Sequence, residues 1–232
     1  MYTVSQAIYN VRALLKGYSD DFKPTNRMIF RRLKANRNLL INRENNKGKL
    51  FNSSALQTLN CLPMTTVDIS ECCDVKTGIK VSRSLTQLPK ILDTSFDHRA
   101  ISFYTIDKGH KIDIKSLDTI IGQLNKKYKY PFPPAFIAND YLYVYGIIGA
   151  TSAQGIFEDP EVVIDINTCK EYDDCGNVIN TKCPIPELEK EFNCPGYLIE
   201  AIENKTAKDI AQFYGYAVED TTNNAQNNSA KQ

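Results

Sequence analysis

Apolar residues recur at helical spacing at both ends of this chain and at strand spacing between them. Val4, Ile8, Val11, Leu14, Leu15 and Tyr18 define one face of a first helix. Ser5 is its expected N-cap, and Gly17 stands where the helix should stop. A short acidic turn containing Pro24 leads to a second helix over 26–42, with Ile29, Phe30, Leu33 and Leu40 as its apolar stripe. Arg27, Arg31 and Lys34 project from the opposite face within about 60° of one another. Residues 42–48 read as a polar loop.

From residue 50 the period changes. β-Branched and aromatic runs separated by turn residues predict strands over 56–64, 79–84, 101–106, 135–138, 141–145 and 162–166. Asn139-Asp140 reads as a tight hairpin turn. Tyr141, Tyr143 and Tyr145 alternate with Leu142 and Val144, giving one aromatic and one aliphatic face. Residues 116–127 predict a short helix, and the prolines at 131, 133 and 134 forbid regular structure just before the hairpin. Beyond 166 the chain is acidic and loop-like to 180. Pro186 then opens a helical stretch over 187–192. A closing helix follows over 197–214, carried by Leu198, Ile199, Ile202, Ile210 and Phe213. The resulting expectation is an α+β fold with a small antiparallel sheet or barrel between helices. Its parts are an N-terminal helical hairpin (1–50), a β-rich middle (51–166), an acidic loop with C-terminal helices (167–220) and a disordered, Asn-rich tail (221–232).

Charge adds a polarity that the pattern alone does not show. Residues 1–50 hold 11 Lys/Arg against 3 Asp/Glu, whereas residues 158–220 hold 5 Lys against 15 Asp/Glu, although the whole chain sums to only +1. A subunit charged in this way can meet a copy of itself head to tail, and contacts of that kind close into rings. A hydrophobic content of 42% fills an ordinary core. No stretch reaches the length of a membrane span, and the N-terminus lacks the apolar run of a signal peptide. Synthesis and retention in the cytoplasm are therefore expected, with the seven cysteines as free thiols.

The candidate chemistry is thin. Cys169, Cys175, Cys183 and Cys194 are too widely spaced for a structural zinc site, and Cys72-Cys73 are adjacent. His98 and His110 match neither a catalytic nor a metal motif, and no phosphate-binding glycine loop occurs. Asp173, Asp174 and Asn177 lack the ligand alternation of a calcium loop. Asp93, Asp97, Asp107 and Asp113 are scattered, a weak basis for a metal-dependent nuclease. No catalytic residue, metal or cofactor is assigned. The strongest candidate is the basic face of the second helix: Arg27, Arg31, Arg32, Lys34 and Arg37. These residues suit contact with an acidic protein surface or with nucleic-acid phosphates, the remaining alternative being a face turned to solvent.

Three stretches together resemble a known family. They are the opening 5–16 with 25–30 and 39–41, the pair Tyr141-Leu142-Tyr143-Val144 and Gly155-Ile156-Phe157-Glu158-Asp159-Pro160, and the acidic loop leading to Pro184-Ile185-Pro186-Glu187. This order is similar to the neck-and-tail connector (ring) structural proteins of crAss-like and related short-tailed bacteriophages. The resemblance implies a virion protein of the tail or neck, made in the bacterial host cytoplasm. It implies a homo-oligomeric ring of twelve copies between the portal protein and adjacent tail or ring proteins, with genomic DNA passing through. It implies no membrane contact and supplies no catalytic residue. The alternative left open by the residues is a DNA-binding module using the basic face of the second helix.

Overall fold

The apolar stripes at the two ends of the chain face each other. The computed structural model describes residues 2–19, 23–46, 55–70, 77–92, 101–124, 133–146, 148–168, 171–172, 178–180 and 185–215. The predicted tail, the loop around 173–177, and Pro131 lie outside them. Helix α1 (Val4–Lys16), α2 (Asn26–Asn46) and the C-terminal helix (Gly196–Phe213) bury Val11, Leu15, Ile29, Leu33, Ile202 and Ile210 in one cluster. Thr3, not Ser5, caps α1: its hydroxyl accepts from Gln6 N–H, and the Gln6 side chain accepts from Thr3 N–H. That reciprocal pair needs Gln at the third helical position, which only Thr3 offers. Residues 2–4 run antiparallel to 190–192, through Phe192 N–H to the Tyr2 carbonyl and Val4 N–H to the Lys190 carbonyl.

The middle of the chain forms a seven-stranded antiparallel sheet that curls into a nearly closed barrel. Its strands are β1 (Gln57–Asp68), β2 (Lys80–Ser84), β3 (Ile101–Thr105), β4 (Lys111–Ile112), β5 (Ala135–Ala138), β6 (Tyr141–Tyr145) and β7 (Ala150–Gly155), in the order β4-β3-β7-β1-β2-β6-β5. The two edges approach where Ile114 and Ala135 form a parallel bridge, with Ala135 N–H donating to the Asp113 carbonyl and Lys115 N–H to the Ala135 carbonyl. Leu59, Leu62, Phe103, Leu142, Val144 and Ala153 fill the interior. Asn139 and Asp140 both take positive φ, as the two-residue turn between β5 and β6 requires. The alternation along β6 separates two cores. Leu142 and Val144 point inward, while Tyr143 stacks on Phe136 at 4.7 Å in a second cluster with Ile120 of α3 (Leu117–Leu124).

Several expectations are corrected. Residues 162–166 are not a strand but part of helix α4 (Pro160–Thr168). Their β-branched side chains gave the strand signal, but Pro160 at the first helical position presets the helical φ. Tertiary contacts complete the choice: Val163 packs into the barrel core, and the Asn167 amide donates to the Thr58 carbonyl of β1. Conversely, Ala150–Gly155 carries no strand-forming aromatic or aliphatic run, yet β7 lies between β3 and β1. Thr151, Ser152 and Ala153 are small enough to be buried there. The acidic stretch also contains a short hairpin, β8 (Glu171–Tyr172) with β9 (Val178–Asn180). The stretch predicted helical over 187–192 is a single 3-10 turn, Glu187–Glu189. The C-terminal helix is α5.

Candidate functional site

The five candidate basic residues of α2 separate into three environments. Arg37 is fully buried. It lies four residues after Leu33 and four before Ile41, so helical geometry places it inside the apolar stripe rather than on the basic face. Its Nε donates to the Asn193 carbonyl at 2.5 Å, and its Nη1 donates to the Phe157 carbonyl at 2.9 Å and to Asn38 Oδ1 at 2.8 Å. A buried cation satisfied mainly by carbonyls is an internal pin joining α2, the segment after β7 and the segment before α5. Burial pushes its pKa down to about 10, which leaves it charged at neutral pH.

Lys34 turns toward the start of α4. Its ammonium donates to Asp159 Oδ1 and Glu161 Oε1, both at 2.6 Å, and sits 5.1 Å from the Phe30 ring centroid. Burial opposes the charged form, but the two carboxylates outweigh it and the pKa is raised. The charge split therefore closes partly within the subunit. Lys190 pairs with Asp165 at 2.7 Å, and the Asn36 amide donates to Thr206 Oγ1 and Asp209 Oδ2. The Tyr2 hydroxyl and the Asn10 amide both donate to Glu203, and burial together with that carboxylate raises the phenol pKa.

Arg27, Arg31 and Arg32 remain exposed. With Thr25, Met28, Ala35 and Phe213 they line an open pocket of about 560 Å³ at the N-terminal end of α2. Phe213 is 67% exposed and meets Tyr214 edge-on at 5.4 Å, and the Tyr214 hydroxyl contacts Met28 Sδ at 3.7 Å. Guanidinium groups beside an uncovered aromatic ring suit a protein or phosphate partner. At the other end of α5, the strap 185–191 exposes Glu187, Glu189 and Glu191. Ile185 and Leu188 of the strap are exposed too, as is Tyr197 at the start of α5. The sequence carried the basic half of this arrangement in the spacing of its arginines. It did not carry Phe213, which reads as an apolar core position of the last helix.

The remaining candidates assemble nothing chemical among the described residues, where no three His, Cys, Asp or Glu side chains converge on a possible metal position. Asp107 accepts from the Thr105 hydroxyl and from Gly109 N–H at 3.0 Å, stabilising a turn that leads to exposed His110. Asp113 lines a pocket of about 780 Å³ at the barrel seam, with Ile112, Lys115 and Phe136. Cys61 is exposed and Cys194 buried. His98, Asp93, Asp97, Asp173, Asp174, Asn177 and the other five cysteines lie outside the described residues. Among the described residues, no helix is long and apolar enough to cross a membrane.

The sequence matches the family model for phage tail ring protein 2 over residues 6–229. No curated protein matches it.

Proposed function

This chain belongs to the crAss-like phage tail ring protein 2 family, and from that membership we propose that it forms a twelve-copy ring joining the portal to the tail around the DNA channel. A tail ring protein is a structural component of the phage particle. The observation that carries the reading is the match along nearly the whole chain, spanning both helical ends and the barrel. The function is assembly rather than turnover. The exposed arginine pocket and the uncovered side chains at both ends of α5 supply surfaces for neighbours. A channel wall must let DNA slide, so the residues facing it should give weak, sequence-independent contact.

The test is the mass of the purified full-length chain, measured alone and with its portal protein. The expected result is a monomer alone and a ring on the portal, because connector parts must assemble in order. Particle imaging that places the chain in the capsid shell, or finds it absent from virions, overturns the proposal. Tight duplex binding by the monomer that weakens steeply with salt would instead favour a DNA-binding module.

A further inference from the structure

We infer that adjacent copies of this chain join head to tail, with the arginine pocket on α2 of one copy receiving the acidic strap 185–191 of the next. The inference rests on the ring reading above and specifies the contact that builds the ring. Three observations point to it.

The first is what internal pairing leaves over. Lys34, Arg37 and Lys190 on one side, and Asp159, Glu161, Asp165 and Asp209 on the other, are held by bonds within the subunit. Arg27, Arg31 and Arg32 are exposed, and none has an ion-pair partner among the described residues. The same holds for Glu187, Glu189 and Glu191. Other exposed charges are also unpaired among the described residues, Lys16, Glu200 and Lys208 among them, but these six are grouped: three cations line one pocket and three anions follow one another along one strap.

The second is the apolar content of each surface. Phe213, which lines the pocket with the arginines, is 67% exposed; Ile185 and Leu188 are exposed on the strap itself, and Tyr197, six residues beyond Glu191, is 60% exposed. Protein interfaces combine aromatic anchors and arginine in this way, with charge setting the register. A phosphate backbone would use the arginines but would leave Phe213 and Met28 uncovered.

The third is placement. α5 carries Tyr197 at its start and Phe213 at its end, about 24 Å apart at 1.5 Å per residue. The two surfaces differ and lie at opposite ends of one rigid element. Their contact is consequently heterologous: each copy gives one surface and receives the other, and the series ends only by closing. A symmetric dimer would place each surface against itself, like charge against like.

The experiment uses two full-length variants, Arg27→Glu/Arg31→Glu/Arg32→Glu and Glu187→Lys/Glu189→Lys/Glu191→Lys. All six side chains are exposed, and circular dichroism with thermal melting confirms the folded state of each variant. Ring formation on the portal is followed by native mass measurement and imaging. Each variant alone should fail to form rings at concentrations at least about tenfold above the wild-type midpoint, because like charges then face each other. An equimolar mixture should restore rings with alternating subunits, since every contact again pairs opposite charges. Rings from either variant alone, or no recovery on mixing, overturn the inference while leaving the ring reading intact. Failure of the wild-type chain to form rings on the portal overturns the ring reading itself. Removal of 216–232 that reproduces the arginine-variant defect identifies that segment, rather than the strap, as the occupant and also overturns the inference.

Discussion

Replacing Arg37 with Met tests whether one buried cation holds the helical layer to the barrel. The arginine side chain is fully buried, and its guanidinium donates to the carbonyls of Asn193 and Phe157 and to Asn38 Oδ1. Methionine keeps much of the volume but leaves two buried carbonyls without this donor. A buried acceptor stripped of its partner costs about 1–3 kcal/mol. Removing a buried charge also relieves its desolvation penalty, which offsets part of that loss. The net expectation is about 2–4 kcal/mol of lost stability. For a chain of this size that lowers Tm by about 5–15 °C. Arg37→Lys retains the charge but has no planar fork to reach three acceptors, so it should fall between wild type and Arg37→Met. The control is Arg31→Met on the exposed face of the same helix, which should move Tm by less than about 2 °C. Differential scanning calorimetry reads all three. If Arg37→Met melts with Arg31→Met, or above wild type, the pin is not structural and the argument fails.

Other outcomes follow from the same contacts. Lys34→Met strips Glu161, which is largely buried, of its cation and should cost about 1–3 kcal/mol in urea unfolding; a midpoint unchanged from wild type would contradict the pairing. Burial pushes the Cys194 thiol up to about 12, despite the nearby Arg37 charge. Maleimide at neutral pH should therefore modify exposed Cys61 about 100-fold faster than Cys194, and peptide mapping that finds equal labelling would refute it. The Asp68 carboxylate accepts from the backbone N–H and hydroxyl of both Ser70 and Thr77, and from Gly78 N–H at 2.9 Å. These bonds, the Ser70 N–H foremost, hold its carboxyl well below the usual carboxylate range. The folded pKa lies below the unfolded one, so the stabilisation is complete above about pH 4 and fades as pH falls through the folded value. Asp68→Asn should lower Tm at pH 7 and flatten its decline between pH 5 and 2; parallel Tm curves would exclude the effect.

The elements that sequence periodicity reveals here are those whose side chains answer to one environment. α1 and α5 carry continuous apolar stripes, and β6 alternates cleanly between two cores, so each is readable without its neighbours. β7 and α4 are decided by what surrounds them. Small residues become a central strand because β1 and β3 flank them, and a β-branched run becomes a helix because Pro160 starts it. The candidate surface shows the same division. The arginine spacing was legible, and so was the position of Arg37 between Leu33 and Ile41, where periodicity contradicts charge. Grouping residues by charge alone puts Arg37 on the wrong face. The partners of Lys34 lie 125 and 127 positions away, beyond any local pattern.

Ile156 and Phe157 are consecutive, yet Ile156 packs into the helical cluster and Phe157 into the barrel. The Phe157 carbonyl also accepts from Arg37, and the Ile156 carbonyl accepts from Leu92 N–H at 3.0 Å. Two consecutive peptide units are thus held from both layers, leaving no slack at the joint. Load applied to the helices passes directly into the barrel wall instead of being taken up by bending between them. A collar built from such blocks can change its bore only by slippage along the seams between blocks, so its mechanical compliance would reside in those seams.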